Sequence, residues 1–336
     1  MRTFLSTLLV AVLLLSCFIR ETQLASEMPS LLVRSASDPV FIGAGDIGEC
    51  PLSKGKYKYQ NTMAEATARV VAEQLPADPD MGVVFVAGDN AYGKGTAKQY
   101  AECYDPTWGR FKDRTRPVPG NHEYIRVRRP KSTWFAMDYF DYFGEERAGE
   151  RFQGYYSYQL GAWHIIALNS ELRKKYMVKQ KKWLVDDLSK NKQPCALAYW
   201  HRPVFSSGEH GAGQPTPGIE STMQDIWRIL DENGVDIVVN GHDHNYERFN
   251  PQDSNGRPDP NGIVEFVVGT GGVGLREKEI PPGKRRNSNA FNKVTWGVLK
   301  LTLHPTAYDF EFIPVATKTS TAPFRDVSTA SVRCLQ

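Results

Sequence analysis

Five short polar segments, each at the end of an apolar run, carry the residues of this chain that are best suited to chemistry. Their side chains offer oxygen and nitrogen ligands, which suit iron, zinc, manganese or magnesium rather than soft metals. There are too many of them for one ion, whereas two ions that share a carboxylate would use them all. The segments read Gly-Asp46-Ile-Gly, Gly-Asp89-Asn-Ala-Tyr92, Gly-Asn121-His122-Glu123, Trp-His201-Arg-Pro and Gly-His242-Asp-His244.

The histidines of the chain are concentrated at these segments. The chain has 7 histidines, and all but His164 and His304 lie in a segment or, like His210, shortly after one. We expect the two outliers to be ordinary structural residues. A single His or Gly-Asp pair carries little weight, because Gly and Asp are common in turns. The evidence for a metal site is that five such segments occur together, each at the end of a predicted strand.

The elements that must position these segments follow from hydrophobic patterning. Apolar runs ahead of the segments predict strands, and apolar residues at helical spacing predict helices between them. Strands and helices alternate through the first two-thirds of the chain, which predicts an α/β fold with a mixed sheet system. Such folds bind ligands beyond the carboxyl ends of their strands, where all five segments fall. The strands are Val40–Gly45, Gly82–Ala87, Arg116–Val118, Ala196–Tyr199 and Val235–Val239, and the helices are Asn61–Leu75, Trp134–Phe143, Val178–Leu188 and Ile219–Glu232.

The remaining pattern is mostly strand and loop. Alternating residues around Gly161 predict a hairpin, and three later apolar runs predict further strands. Two Pro- and Gly-rich stretches, Asn250–Gly262 and Pro281–Asn289, are predicted to be loops. The hairpin strands are Tyr155–Leu160 and Trp163–Leu168, and the later strands are Ile263–Val268, Val294–Leu303 and Ala307–Phe312.

In these segments the chain resembles the calcineurin-like metallophosphoesterases, and within them the purple acid phosphatases. Many metallophosphoesterases begin with Asp-x-His, but this chain reads Asp46-Ile-Gly48. The purple branch replaces the missing His ligand with a Tyr three residues after the bridging Asp, as Tyr92 follows Asp89. This correlated replacement is the most specific feature of the resemblance, which extends from about Val40 to the C-terminus.

A second feature favours the small, mammalian-type, single-domain form of purple acid phosphatase. The run His201-Arg-Pro-Val-Phe-Ser-Ser-Gly-Glu-His210 is similar to the small-form segment that carries an active-site His nine residues beyond a metal ligand. The last segment continues as Asn245-Tyr-Glu-Arg248, which is closer to the larger plant-type enzymes. The resemblance implies a layered α-β-β-α sandwich with two mixed sheets, in a single catalytic domain over residues 38–330.

The resemblance also implies a role for each site residue. Asp89 would bridge two ions, one ligated also by Asp46, Tyr92 and His244, and the other also by Asn121, His201 and His242. A phenol has a pKa of about 10, so binding as phenolate requires a strong Lewis acid such as ferric iron. The implied cofactor is therefore Fe(III) with a divalent Fe, Zn or Mn ion.

Two histidines have catalytic roles in this assignment. His122 and His210 occupy positions where the family places residues that contact phosphate and the leaving group. Because His titrates near neutral pH, it can donate a proton to a departing alkoxide. Glu123 is expected to orient His122 or a bound water.

The N-terminus has the pattern of an export signal. Arg2 precedes an apolar run from Phe4 to Leu15, which is too short to span a membrane as a mature helix. Residues 1–26 are therefore predicted to be a signal peptide, giving a secreted, extracellular or periplasmic protein. A sequence resembling a lipobox at Cys17 leaves lipid anchoring as the alternative.

The cysteines agree with export. Without Cys17, four of the 5 cysteines remain, and four cysteines allow three pairings. We favour Cys50–Cys103, which would join two loops of the site, and Cys195–Cys334, which would attach the C-terminal tail to a core strand. Free buried thiols are the alternative, which an oxidising compartment disfavours.

Charge and composition restrict the function further. The net charge is +3 and the basic residues are dispersed, so nucleic-acid binding is not expected. No later run is apolar enough for a transmembrane helix. The best-supported prediction is an acid phosphatase that hydrolyses small phosphate monoesters by metal-activated water. The alternatives are a phosphodiesterase of the same superfamily and a non-catalytic binding protein on the same fold. The oligomeric state stays undetermined.

Overall fold

A computed structural model of the chain describes residues 38–48, 62–125, 136–210, 220–276, 287–316 and 324–335. The predicted signal peptide, Cys17 and Cys50 lie outside these ranges. Within the described residues, no helix is both long and apolar enough to cross a bilayer.

The first sheet carries three of the five polar segments. It contains seven strands in the order β13-β12-β11-β1-β2-β3, with β14 also paired to β12. Strands β1, β2 and β3 are parallel, and β11 runs antiparallel to β1. The strands are β1 (Val40–Ala44), β2 (Gly82–Ala87), β3 (Thr115–Val118), β11 (Gly297–His304), β12 (Ala307–Pro314), β13 (Asp326–Val327) and β14 (Val332–Arg333).

The second sheet carries the other two segments. Its seven strands have the order β10-β8-β9-β7-β6-β5-β4, and β5, β6, β7 and β9 are parallel. The strands are β4 (Tyr156–Leu160), β5 (Trp163–Ala167), β6 (Cys195–Trp200), β7 (Ile237–Asn240), β8 (Tyr246–Phe249), β9 (Val264–Val268) and β10 (Ser288–Asn292).

Helices cover the outer faces of both sheets. The first, α1, begins at Thr62, whose side chain accepts a hydrogen bond from the Glu65 amide, and ends before Pro76. In α5, Met177, Leu184 and Leu188 are buried at helical spacing against the second sheet. The helices are α1 (Met63–Gln74), α2 (Ala97–Gln99), α3 (Met137–Phe143), α4 (Glu145–Ala148), α5 (Lys174–Lys190) and α6 (Glu220–Glu232). Short 3-10 turns cover Pro79–Met81, Trp108–Arg114 and Asn121–Tyr124, and a π turn covers Tyr100–Tyr104.

The two sheets pack face to face through aromatic side chains. Phe41 of β1 lies 5.5 Å from Tyr199 of β6 between ring centroids, and Tyr246 of β8 lies 4.3 Å from Phe312 of β12. Both pairs belong to one buried cluster that includes residues of both sheets. The predicted α/β fold with two mixed sheets in layers is confirmed.

The fold corrects the sequence prediction at several strands. The predicted strand Val294–Leu303 begins at Gly297 instead. The strand Tyr246–Phe249 was not predicted, and the predicted loop Pro281–Asn289 is wrong at its end, because Ser288 and Asn289 belong to β10. These strands pair with each other and carry polar residues. Cross-strand hydrogen bonds therefore stabilise them where apolar alternation is too weak to predict them.

One of the two predicted disulfides lies within the described residues. Cys195 and Cys334 are bonded, with their Cα atoms 5.5 Å apart, so the C-terminal tail is attached to β6 as predicted. Cys103 is also disulfide-bonded. Its predicted partner, Cys50, lies outside the described residues, so that pairing stays a prediction.

Candidate metal centre

The carboxyl ends of five parallel strands meet at one buried site. Asp46 follows β1, Asp89 follows β2 and Asn121 follows β3 in the first sheet, while His201 follows β6 and His242 follows β7 in the second. Carboxylate oxygens of Asp46 and Asp89 and a ring nitrogen of His201 all lie within 4.8 Å of one another. The predicted convergence of strand ends is therefore observed.

Three of the seven predicted ligands form one cluster of side chains. The Tyr92 hydroxyl donates to Asp46 Oδ1 at 2.6 Å and lies 3.1 Å from His244 Nε2. His244 Nε2 is also 3.4 Å from Asp46 Oδ1. All three side chains are buried. These three residues are the set that the resemblance assigns to the ferric ion.

Three other predicted ligands form a second cluster, around His201 Nε2. His201 Nε2 lies 3.1 Å from Asn121 Oδ1 and 3.2 Å from His242 Nδ1. It is also 3.3 Å from Asp89 Oδ2, so the carboxylate that is predicted to bridge two ions contacts this cluster. The two clusters thus correspond to the two ligand sets expected from the sequence.

Backbone carbonyls fix which ring nitrogen of each histidine faces the site. Nδ1 of His201 lies 2.9 Å from the Ala87 carbonyl, and Nδ1 of His244 lies 2.7 Å from the Gly274 carbonyl. Because a carbonyl accepts only from N–H, each Nδ1 carries a proton, and Nε2 is the ring nitrogen that would ligate a metal. His242 has the reverse orientation, with Nδ1 toward the site.

The backbone at the site is held in an uncommon conformation. Asp46, Asp89 and His242 have φ of 61°, 50° and 69°, in the left-handed region that non-glycine residues rarely adopt. Such strain persists only where surrounding contacts impose it, and it is typical of functional sites. Gly88, at φ 82°, has no room for a side chain, since a Cβ there would collide with the His201 ring.

The electrostatics of the site favour a cation. Burial disfavours a charged imidazole, yet the adjacent Asp89 carboxylate raises the pKa of His201 to about 10. The pKa of Asp89 is lowered by the same pairing, although burial opposes the shift. Burial and the Asp46 carboxylate raise the pKa of Tyr92 well above its usual value. The buried carboxylates of Asp89 and Asp46 therefore favour the protonated forms of His201 and Tyr92. Metal cations bound at these groups would supply positive charge in place of the protons.

The two predicted catalytic histidines lie beside the clusters. The His122 ring lies 4.2 Å from the Tyr92 ring, and its Nδ1 is 2.9 Å from the Gly93 carbonyl. The His210 ring stacks on His242 at a centroid distance of 4.5 Å. Burial and the neighbouring Arg276 guanidinium lower the pKa of His210.

Glu123 has a different set of partners from the one expected. Its Oε1 accepts from the amides of Asn90 and Ala91 at 3.0 and 3.2 Å, and its Oε2 accepts from the Gly120 amide at 2.8 Å. The Tyr100 hydroxyl is a further donor, at 3.3 Å. Within the described chain, these bonds tie two ligand-bearing loops together, and none is made to His122.

Sequence reasoning missed two arginines and one aspartate near the site. Arg202 Nη1 lies 3.1 Å from His242 Nε2, and Arg276 contacts His210. Asp243 is fully buried between the two histidines of the last segment. Arg202 and Asp243 stand inside the recognised segments, so a signal for them was present in the sequence. Arg276 comes from a distant loop and has no such signal.

The His164 and His304 side chains have structural partners, as expected. His164 Nε2 lies 2.7 Å from Asp187, and His304 lies between Asp38 and Asp309 at 2.6 and 2.9 Å. Both histidines are thus held in carboxylate contacts away from the two clusters.

Comparison with known proteins agrees with the fold and the site. Residues 40–246 match the calcineurin-like phosphoesterase family, and the chain belongs to it. Purple acid phosphatases 15 and 18 of Arabidopsis thaliana are each 30% identical over 61% and 54% of this chain. These matches span only 42% and 44% of the two relatives. The resemblance to purple acid phosphatases within this family is confirmed.

A solved structure with the same fold is purple acid phosphatase PPD1 from yellow lupin (Lupinus luteus) seeds. Its TM-score is 0.62 with 23% sequence identity, and the alignment covers 86% of this chain and 53% of the lupin chain. At this identity the likeness establishes the shared fold.

Proposed function

We propose that the protein is a secreted, metal-dependent phosphatase that hydrolyses small phosphate monoesters at a binuclear centre. The observation that carries this proposal is that the Asp89 carboxylate contacts both clusters of donors, at His201 in one and at Tyr92 in the other. One cluster includes a phenol that already lies 2.6 Å from a carboxylate. The purple acid phosphatase relatives support the same reaction class.

The proposed ligands of one ion are Asp46, Tyr92 and His244, with Asp89 as the bridge. The donor set of two carboxylates, a phenol and an imidazole suits a hard, strongly Lewis-acidic ion, and we propose Fe(III). A cation there would displace the phenol proton that the buried Asp46 carboxylate now retains.

The proposed ligands of the second ion are Asn121, His201 and His242, again with Asp89. This set has one carboxylate and one neutral amide, which suits a divalent Fe, Zn or Mn ion. When bound, the two ions supply charge neutralisation for the phosphate and a lowered pKa for the attacking water.

The protein's own groups orient this chemistry. The His122 amide donates to Asp89 Oδ1 at 2.8 Å, which fixes the bridging carboxylate. We propose that His122 binds a phosphate oxygen and that His210 gives a proton to the leaving alkoxide. His210 is half-buried, and its Nε2 contacts the Arg276 guanidinium, so it is not a proposed ligand.

Secretion is part of the proposal. The Cys195–Cys334 disulfide is typical of an oxidising compartment, and it agrees with the predicted signal peptide. Secretion would be tested by locating the mature N-terminus of the protein recovered outside the cell.

The experiment that tests the function combines metal analysis with substrate profiling of the purified protein. We expect iron, a visible absorption band from the Tyr92 phenolate, and faster hydrolysis of phosphate monoesters than of diesters. A metal-replete protein that prefers diesters would refute the monoester assignment. If the metal-replete protein hydrolyses neither monoesters nor diesters, the proposal that it is a phosphatase is wrong.

A further inference from the structure

The segment of residues 206–210 is hydrogen-bonded to the loop that carries the last two histidine ligands and to β8, which follows that loop. Two buried carboxylates, Asp243 and Glu247, receive hydrogen bonds from it. Asp243 Oδ1 accepts from the His210 amide at 2.9 Å, and Asp243 Oδ2 accepts from the Ser206 hydroxyl. Glu247 accepts from the Ser207 amide and hydroxyl at 2.7 and 2.6 Å.

Side chains of the stretch 242–247 have two tasks. His242 and His244 belong to the two clusters, whereas Asp243 and Glu247 contact the segment of residues 206–210. The carboxylates of Asp243 and Glu247 are 0% exposed.

Gly208 allows the close approach of the segment. A Cβ there would lie 2.6 Å from Asp243 Cγ, which is too close for any real contact. The Gly208 amide also donates to the Ser206 hydroxyl at 3.0 Å, so the same hydroxyl links the turn to Asp243. The segment therefore packs closely against Asp243.

We propose that Asp243 is a positioning residue that holds His210 in place for proton transfer, with Glu247 as its support. The inference rests on the proposed function of His210. Asp243 reaches His210 through the backbone amide, so it fixes the place of the residue, while the ring stacks on His242 and contacts Arg276. A proton donor must be held within hydrogen-bond reach of the leaving oxygen, and this network supplies that constraint.

The kinetic test uses leaving-group dependence and a double-mutant cycle on the metal-loaded protein. A positioned proton donor contributes about 10²–10⁴ in rate, and alkyl phosphates depend on it more than activated aryl phosphates do. We expect Asp243→Asn to lower kcat on an alkyl phosphate by at least about tenfold and to have a much smaller effect on an aryl phosphate. Added to His210→Ala, it should cause little further loss, because residues that act as a unit are not additive.

Asp236→Asn is the matched control. Asp236 is also a buried aspartate that accepts two backbone amides, those of Ala196 and Leu335, but it lies beside the disulfide. It should change stability without changing the ratio of alkyl to aryl turnover. Equal ratios in Asp243→Asn and wild type, or additive losses with His210→Ala, would overturn the proposal.

Further variants and a second readout cover the other outcomes. If Asp243→Asn loses metal, then Glu247→Gln and Ser206→Ala carry the kinetic test, and loss of metal in all three would overturn the proposal. Hydrogen exchange of the peptide over residues 206–210 should rise in Asp243→Asn, and unchanged exchange would also overturn it. If the wild type hydrolyses no phosphate ester while exchange rises, the proposed function has failed and the positioning stands.

Discussion

Glu123 offers the sharpest test of how the site is held together. Its carboxylate accepts the Asn90, Ala91 and Gly120 amides and is 4% exposed. A buried amide that loses its acceptor costs about 1–3 kcal/mol. Glu123→Ala leaves three amides unpaired, so it should cost about 3–9 kcal/mol. That is comparable to the about 5–15 kcal/mol by which whole domains are stable.

Glu123→Gln separates stability from metal binding. A glutamine keeps one oxygen for Asn90 and Ala91 and turns an N–H₂ group toward the Gly120 amide, so one bond is lost. The cost should be about 1–3 kcal/mol, and the protein should still fold. Because Asn90 and Ala91 lie between two proposed ligands, we expect metal affinity to fall about 10–100-fold, as for other partners of ligand-bearing groups.

The assays are denaturant unfolding and competition for metal against a chelator. Glu65→Gln is the control. Glu65 lies on α1, and its buried carboxylate is paired with Arg69 and Arg110 and does not contact the site. It should lose stability and keep its metal affinity. Unfolding free energies of Glu123→Ala and wild type that agree within about 1 kcal/mol would refute the reasoning, because three unpaired amides cannot cost so little.

Three further predictions test other parts of the molecule. Tyr92→Phe should abolish the visible band of the iron-loaded protein, and an unchanged spectrum would exclude a phenolate ligand. Gly88→Ala should cost at least about 1–2 kcal/mol for its left-handed backbone, and should release the divalent ion, as measured by metal analysis, because the new methyl displaces His201. Burial raises the pKa of Asp236 to about 6 in spite of two amide donors. Between about pH 4 and 6 the folded protein binds a proton at Asp236 that the unfolded chain does not. The free energy of unfolding should therefore fall as pH rises over this range, by up to about 3 kcal/mol. Asp236→Asn should flatten this dependence in thermal unfolding.

The positions of the ligand-bearing loops could be predicted from the sequence. Apolar runs such as Gly82–Ala87 are buried on both faces, so their hydrophobicity is continuous and their ends are sharp. A polar residue that follows such a run, as Asp89 follows β2, must lie at the edge of the sheet. The strand ends could therefore be predicted from hydrophobicity, whereas the seven proposed ligands and the family were inferred from the resemblance of the polar segments to the metallophosphoesterases.

Polar strands could not be predicted in the same way. β8 and β10 contain Glu247, Arg248 and Asn289, and their apolar alternation is weak. Their stability comes from pairing with each other and, for β8, with β9. When a strand is stabilised mainly by its neighbours, its own residues are not enough to predict it.

What the sequence by itself determined was the kind of chemistry: donor types, their order, and their place at strand ends. What only the tertiary structure decided was how two sheets bring these donors together. The His242 amide donates to Asp46 Oδ2 at 2.7 Å across 196 residues of chain, and no local pattern encodes that contact. The partners of Glu123 and Asp243 were likewise decided by folding, because a buried carboxylate accepts from whichever amides the packed loops present, and those loops are distant in sequence.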